Sequence, residues 1–255
     1  MCLLLISYET HPKYKLIIAA NRDEFYNRPS EPAKFWNDFP SLLAGKDLQA
    51  GGTWLGITKN GRFAAITNYR DMNNLKNIAP SRGELVKNFL TGNDSPNIFS
   101  EKLFASAEAY NGYNLLFSDM NEFYYFSNQT KKQIELVPGI YGLSNHLLDT
   151  PWHKVEKSKT SFKNILNEEN ITSENLFDIL SDTSTPPDDL LPHTGLALEI
   201  ERAVSPVFVS TPFYGTRTST VIFIDRMNQV KFIEKSLNFE TKKWNSKNFN
   251  FKIEL

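Results

Sequence analysis

Cysteine occurs once in this chain, at position 2, in the opening stretch "MCLLLISYE". An initiator methionine is normally trimmed when the next residue is small, and cysteine qualifies. Trimming would put a thiol and a free α-amine on one residue. An α-amine titrates near ~7.7–8.0, so it can take the thiol proton and return it to a leaving group. That pairing of nucleophile and base on the first residue is the logic of N-terminal-nucleophile hydrolases. The competing reading of Cys2 is a small apolar residue opening a buried strand.

Several polar residues stand where they could serve such a nucleophile. "AANRDEFYNRP" closes an apolar run with Asn21, Arg22, Asp23 and Glu24. If the two N-terminal apolar runs form an antiparallel pair with a short turn, Arg22 and Asp23 return beside Cys2. An arginine there favours a thiolate and can orient a carbonyl, and Asp23 can hold an α-amine. The alternative is an ordinary surface ion-pair cluster. Asn68 ends the apolar run of "FAAITNYRD", and Asn145 follows a short run in "GIYGLSNHLL". Either side-chain amide can donate to an oxyanion, though each is also a common turn residue. Arg217 in "YGTRTSTVIFID" stands just before a strand and can face the same cleft. "AGGTWLG" offers paired glycines for close backbone approach and Trp54 as an aromatic wall. His11, His146, His153 and His193 show no metal-ligand spacing, and His146 is set apart by its neighbour Asn145.

The elements that must position these residues are legible in part. "CLLLISY" and "YKLIIAAN" read as two buried strands joined by a turn. "TWLGIT" and "RFAAITN" flank the hairpin signal "KNG", and "YNLLFSD" pairs with "EFYYFSN". Ser81 and Glu84 predict a capping box for a helix that stops at Gly92. Ser95–Pro96 and Thr150–Pro151 predict two further helices, and "TSENLFDIL" a fourth. "SDTSTPPDDLLP" reads as an exposed loop. "TSTVIFID" and "QVKFIEK" close the chain as strands, and the basic, aromatic end reads as a solvated strand or tail. Strands and helices segregate along the chain, which predicts an α+β fold rather than alternating βαβ units. No linker divides it, so residues 1–255 read as one domain.

Composition narrows the function classes. The 255 residues are 40 % apolar and 22 % charged with a net charge of −1, an ordinary globular composition with no field to recruit nucleic acid or lipid. A single cysteine excludes an internal disulfide and a cysteine-based zinc site. The absence of a signal peptide pattern and of any run near ~20 apolar residues points to a cytoplasmic protein that is not inserted in a membrane. There is no phosphate-cradling glycine loop, and no metal or organic cofactor is implied.

The "MC" strand, "NRDE" at 21–24, "GGTWLG" at 51–56, "TNYRD" at 67–71, "SRG" at 81–83, "GLSN" at 142–145 and "YGTRT" at 214–218, in this order, resemble the NRDE family. That is the family of the transport-and-Golgi-organisation protein 2 homologues. The resemblance implies an N-terminal-nucleophile hydrolase-like four-layer αββα sandwich of two antiparallel sheets. More distantly, the chain is similar to choloylglycine hydrolase and penicillin V acylase. That similarity implies Cys2 as nucleophile, Arg22 and Asp23 beside it, Asn68 and Asn145 as oxyanion or amine partners, and Arg217 as a further cleft residue. Trp54, Glu24, Tyr69 and His146 stand as candidate substrate-binding residues. In those hydrolases the arginine and aspartate are separated by two residues, whereas here they adjoin, so Asp23 and Glu24 both remain candidates. Two functions follow as expectations. One is an amidohydrolase of a small acyl amide. The other is a non-catalytic binder of haem or an acyl lipid, since eukaryotic relatives are associated with haem trafficking and lipid metabolism.

Overall fold

The computed structural model describes residues 2–238 and 241–254. In chain order its strands are β1 (Cys2–Tyr8), β2 (Tyr14–Phe25), β3 (Ser30–Phe35), β4 (Leu42–Asp47), β5 (Leu55–Thr58), β6 (Phe63–Asn68), β7 (Tyr113–Ser118), β8 (Phe123–Ser127), β9 (Lys132–Glu135), β10 (Gly139–Leu143), β11 (Tyr214–Asp225), β12 (Gln229–Asn238) and β13 (Lys243–Lys252). Its α-helices are α1 (Gly83–Thr91), α2 (Pro96–Ser106), α3 (His153–Leu166), α4 (Ser173–Leu180) and α5 (Leu198–Ala203). The fold is α+β, built on two antiparallel sheets.

The chain divides into two compact units, residues 1–27, 138–144 and 148–251, and residues 28–137, 145–147 and 252–255. The first carries the six-stranded sheet β10-β1-β2-β11-β12-β13. Side chains alternate across its pleat. Leu3, Leu5, Ile17, Ala19, Val221 and Phe223 point to one face and pack against Val155 and Phe162 of α3 and Leu176, Phe177 and Leu180 of α4. Burial of each such side chain contributes about 1.5–3 kcal/mol. Residues of the opposite parity, among them Leu4, Ile6, Ile18 and Ile222, are buried as well.

The second unit carries the seven-stranded sheet β3-β4-β5-β6-β7-β8-β9, in which every strand pairs with its neighbour in sequence. Leu42, Ala44, Ala64, Ile66, Leu115 and Phe117 pack against Leu85, Val86, Phe89 and Leu90 of α1 and Phe99 and Leu103 of α2.

Local signals and observed elements part at three places. The Ser81–Glu84 capping box does not form: α1 begins at Gly83, and Arg82 at its N-cap makes no side-chain cap. The reason is a close backbone approach, because Thr53 N donates to Gly83 O at 3.1 Å and a Cβ on Gly52 would lie 2.5 Å from the Gly83 carbonyl carbon. "GGTW" and "SRG" are therefore two halves of one contact. A capping box does form at α4, between Thr172 and Asn175. Arg217 lies inside β11 rather than ahead of it, at a bulge between Thr216 and Thr218, because β11 continues along the polar end of β2.

Candidate active site

In the first unit, β1 and β2 pair so that Cys2 stands opposite Arg22, and β2 and β11 pair so that Arg22 stands opposite Thr218. Directly paired residues share a face, so Cys2, Arg22 and Thr218 form one row across three strands. The row lies on the face opposite α3 and α4. The next row, Leu3–Asn21–Ser219, faces the helices. Cys2 is half-buried with a free thiol, and its carbonyl accepts from Ser144 Oγ at 2.9 Å.

Burial pushes the Cys2 thiol above its usual range, and the Asp23 charge adds to this. The Asp23 backbone N–H on the sulfur and the Arg22 guanidinium act in the opposite direction. Burial wins, so the resting thiol is protonated and needs a base to become a nucleophile.

The adjacent carboxylates have different surroundings. Asp23 is 5 % exposed and accepts from Thr216 Oγ1 at 2.7 Å. Its backbone carbonyl accepts from the Tyr214 hydroxyl at 3.0 Å. Burial raises its pKa, while Lys154, Thr216 and Arg22 pull it down. Glu24 is more exposed and lies 3.6 Å from Arg22 Nη2, with its own Oε1 accepting from Phe25 N. Arg217 donates from Nη1 to the Phe25 carbonyl at 3.3 Å.

In the second unit, Asn145 and His146 are knitted to "TNYRD". Asn145 is fully buried, its Nδ2 donates to Asn68 O at 2.8 Å, and its carbonyl accepts from Arg70 N at 2.7 Å. The Asn68 side chain itself is exposed. The Tyr69 hydroxyl and His146 Nε2 are 2.8 Å apart, with their rings 4.9 Å apart. Asn114 fixes this segment by donating to His146 O at 2.9 Å. Burial lowers the His146 pKa, keeping the imidazole neutral at pH 7. Trp54 packs against the core of this unit and lies over Gly45, where a Cβ would come within 2.3 Å of its ring.

The predicted residues thus fall into one group around Cys2 (Arg22, Asp23, Glu24, Arg217) and another around Asn145 (Asn68, Tyr69, His146), with Trp54 apart in the core packing. Two neighbours of the first group escape the sequence reading, Thr218 and Lys154. Thr218 is buried, and its hydroxyl has no hydrogen-bond partner among the described residues. Its signal is its place in "YGTRT". Lys154 is 5 % exposed, and nothing local distinguishes it from the other lysines of α3. Among the described residues, no cluster of three or more His, Cys, Asp or Glu could hold a metal ion. No helix of the described residues is long and apolar enough to cross a membrane. A cleft of about 390 Å³ beside α1 and α2, lined in part by Leu85, Phe99 and Tyr110 with Asp94 and Lys102, contains none of the predicted residues.

Residues 1–239 match the family model described as "Transport and Golgi organisation 2". The Transport and Golgi organization 2 homolog of Mus musculus is 35 % identical over 276 residues, covering 100 % of both chains. The Homo sapiens homolog is 36 % identical over 282 residues, again covering 100 % of both. Among solved structures, a Caenorhabditis elegans N-acylethanolamine-hydrolyzing acid amidase ortholog superposes with a TM-score of 0.51 at 9 % identity, covering 87 % of this chain and 92 % of that one. At that identity the likeness carries the fold alone, the N-terminal-nucleophile hydrolase fold.

Proposed function

The chain belongs to the Transport and Golgi organisation 2 family, and from that premise we propose that it is an N-terminal cysteine amidohydrolase of a small, non-peptide acyl amide, active once Met1 is removed. The observation that carries this reading is the Cys2–Arg22 register at the open end of β1, with the Asp23 N–H on the sulfur. The α-amine of processed Cys2 takes the thiol proton. The thiolate attacks the amide carbonyl, forming a C–S bond. The tetrahedral oxyanion is stabilised by backbone N–H donors beside Cys2. The amine leaves with the proton held by the α-amine, breaking the C–N bond. Water, activated by the same amine, then hydrolyses the thioester and releases the acid.

Asp23, rather than Glu24, is the carboxylate we assign to the α-amine, because it is buried and fixed by Thr216 whereas Glu24 is engaged with Arg22. Arg22 and Arg217 orient the substrate carbonyl or its polar end, and Glu24 contributes to substrate binding. The fold neighbour is by name an amidase of an N-acyl amide, which supports a substrate with one acyl group and one small amine. A reducing compartment such as the cytoplasm suits a free thiol nucleophile. Residues 1–255 act as one functional domain in this reading, consistent with a family match that runs through both units.

The test is to screen an acyl-amide library with wild type and Cys2→Ala in parallel, with intact mass to score loss of Met1. Turnover by the wild type alone, from protein lacking Met1, supports the assignment, and equal turnover by both removes the nucleophile. The second reading is binding of haem or an acyl lipid, with His146 as the candidate ligand. A Soret shift on haem titration that His146→Ala abolishes would support it.

A further inference from the structure

β11 carries an extra residue where it passes the polar end of β2. Ser219 pairs with Asn21 and Thr218 with Arg22, and an unbroken ladder would next set Arg217 against Asp23. The bulge sets Thr216 there instead, and Arg217 reaches the Phe25 carbonyl. A guanidinium directly opposite Asp23 would engage its carboxylate as a bidentate partner and compete for it with an α-amine. A threonine hydroxyl has a single proton to give, and Thr216 Oγ1 donates it to Asp23 Oδ1 at 2.7 Å. The direction of that proton is fixed from outside the ladder. Val209 N donates to Thr216 Oγ1 at 2.9 Å, and Thr216 N donates to Val209 O at 2.8 Å. With an N–H already on its oxygen, the hydroxyl points its own proton at Asp23. Asn21 pins the same stretch of chain to β2. Its Nδ2 donates to Val207 O at 3.0 Å and to Leu180 O at 2.8 Å, and its Oδ1 accepts from Ser219 Oγ at 2.7 Å. Asn21 and Asp23 lie on one face of β2, so Val207 and Val209 are tied to two successive residues of that face.

We propose that Thr216 is a positioning residue for Asp23: the β11 bulge and the Val209 N–H commit its hydroxyl to Asp23 Oδ1 and so set the plane of the carboxylate that receives the α-amine of processed Cys2. This rests on the reading of Cys2 as the nucleophile. The titratable and charged groups around the Asp23 carboxyl are Cys2 with its α-amine on β1, Arg22 on β2 and Lys154 on α3. All of them stay in place when the Thr216 hydroxyl is removed, so a change at Asp23 then reports the hydroxyl alone. The bulge explains why "YGTRT" places its arginine between two threonines: the first threonine serves Asp23, the second joins the Cys2–Arg22 row, and the arginine between them is kept off the carboxylate.

The experiment uses full-length protein carrying Thr216→Val, which keeps the branched shape and removes the hydroxyl, and Thr216→Ser, which restores the hydroxyl. The Asp23 carboxyl carbon is followed by NMR of 13C-aspartate-labelled protein across pH, assigned by comparison with Asp23→Asn. The rate of Cys2 alkylation by iodoacetamide is measured alongside. A hydrogen bond to a carboxylate favours its charged form, so Thr216→Val should move the Asp23 titration up by about one pH unit and slow alkylation at pH 7 roughly tenfold. Thr216→Ser should return both toward wild type. In an Asp23→Asn background, Thr216→Val should add no further slowing. An Asp23 titration that does not move in Thr216→Val, a shift that Thr216→Ser fails to reverse, or losses that multiply in the double variant would overturn the proposal. The NMR titration needs no substrate, so it reports on the Thr216–Asp23 relation even if Cys2→Ala turns over as fast as wild type.

Discussion

Cys2 and Arg22 are partners across the β1–β2 pair, and Arg22 is the second residue of the "NRDE" run that ends the apolar part of β2. A sulfur at the open end of one strand thereby gains a buried cation from the next, without any loop having to carry it there. Arg22 acts to lower the thiol pKa against the effect of burial. Arg22→Gln should therefore shift the pH midpoint of Cys2 alkylation upward, read from iodoacetamide rates between pH 6 and 10. A downward shift would show that the guanidinium does not act on the sulfur.

Asp23 has its folded-state pKa raised, chiefly by burial. The sign follows directly. Where folding raises a carboxyl pKa, its contribution to stability is full below the unfolded value, near ~3.9, and is lost as pH rises through the folded value. Asp23→Asn removes this dependence. Urea unfolding should show the variant gaining on wild type between pH 4 and pH 7, while amide turnover falls. A variant that loses ground as pH rises would contradict the assigned direction.

Thr218 completes the Cys2–Arg22 row with a buried hydroxyl that no described residue satisfies. Such a group costs about 1–3 kcal/mol. Thr218→Val is expected to leave the unfolding free energy equal or higher while lowering turnover, the pattern of a polar group kept for a ligand. Equal turnover with a loss of stability would assign Thr218 a purely structural part.

The glycines of "GGTWLG" differ in kind. A Cβ at Gly52 would strike the Gly83 backbone, whereas at Gly51, with φ of +70°, it would meet open space. Gly52→Ala should cost about 1–3 kcal/mol from overpacking, and Gly51→Ala about 1 kcal/mol from its left-handed backbone. Chemical denaturation of the two variants checks the order.

How much of this could be read in advance depended on how local each cause was. The β1–β2 pair is carried by two continuous apolar runs and one turn, so its register, and with it the nearness of Arg22 to Cys2, follows from the sequence. The polar end of β2 reads as a strand terminus, yet it continues as strand through Phe25. The partners that satisfy Asn21 and Asp23, namely Leu180 O, Val207 O and Thr216, lie far along the chain. Ser30–Phe35 and Leu42–Asp47 carry no alternating pattern and no hairpin signal. Pro32 is tolerated because β3 is an edge strand. Lys154 is hidden for the same reason as the end of β2. In "WHKVEKSK" it looks like its solvated neighbours, and only the carbonyls of Val204 and Pro206, some fifty residues on, make it a buried cation.

The most direct test is mass spectrometry of the protein quenched during turnover of an acyl amide. The account predicts an N-terminal peptide that begins at Cys2 and carries the acyl group on sulfur, absent in Cys2→Ala. Hydrolysis by protein whose N-terminal peptide still begins at Met1, with no adduct on that sulfur, would contradict it.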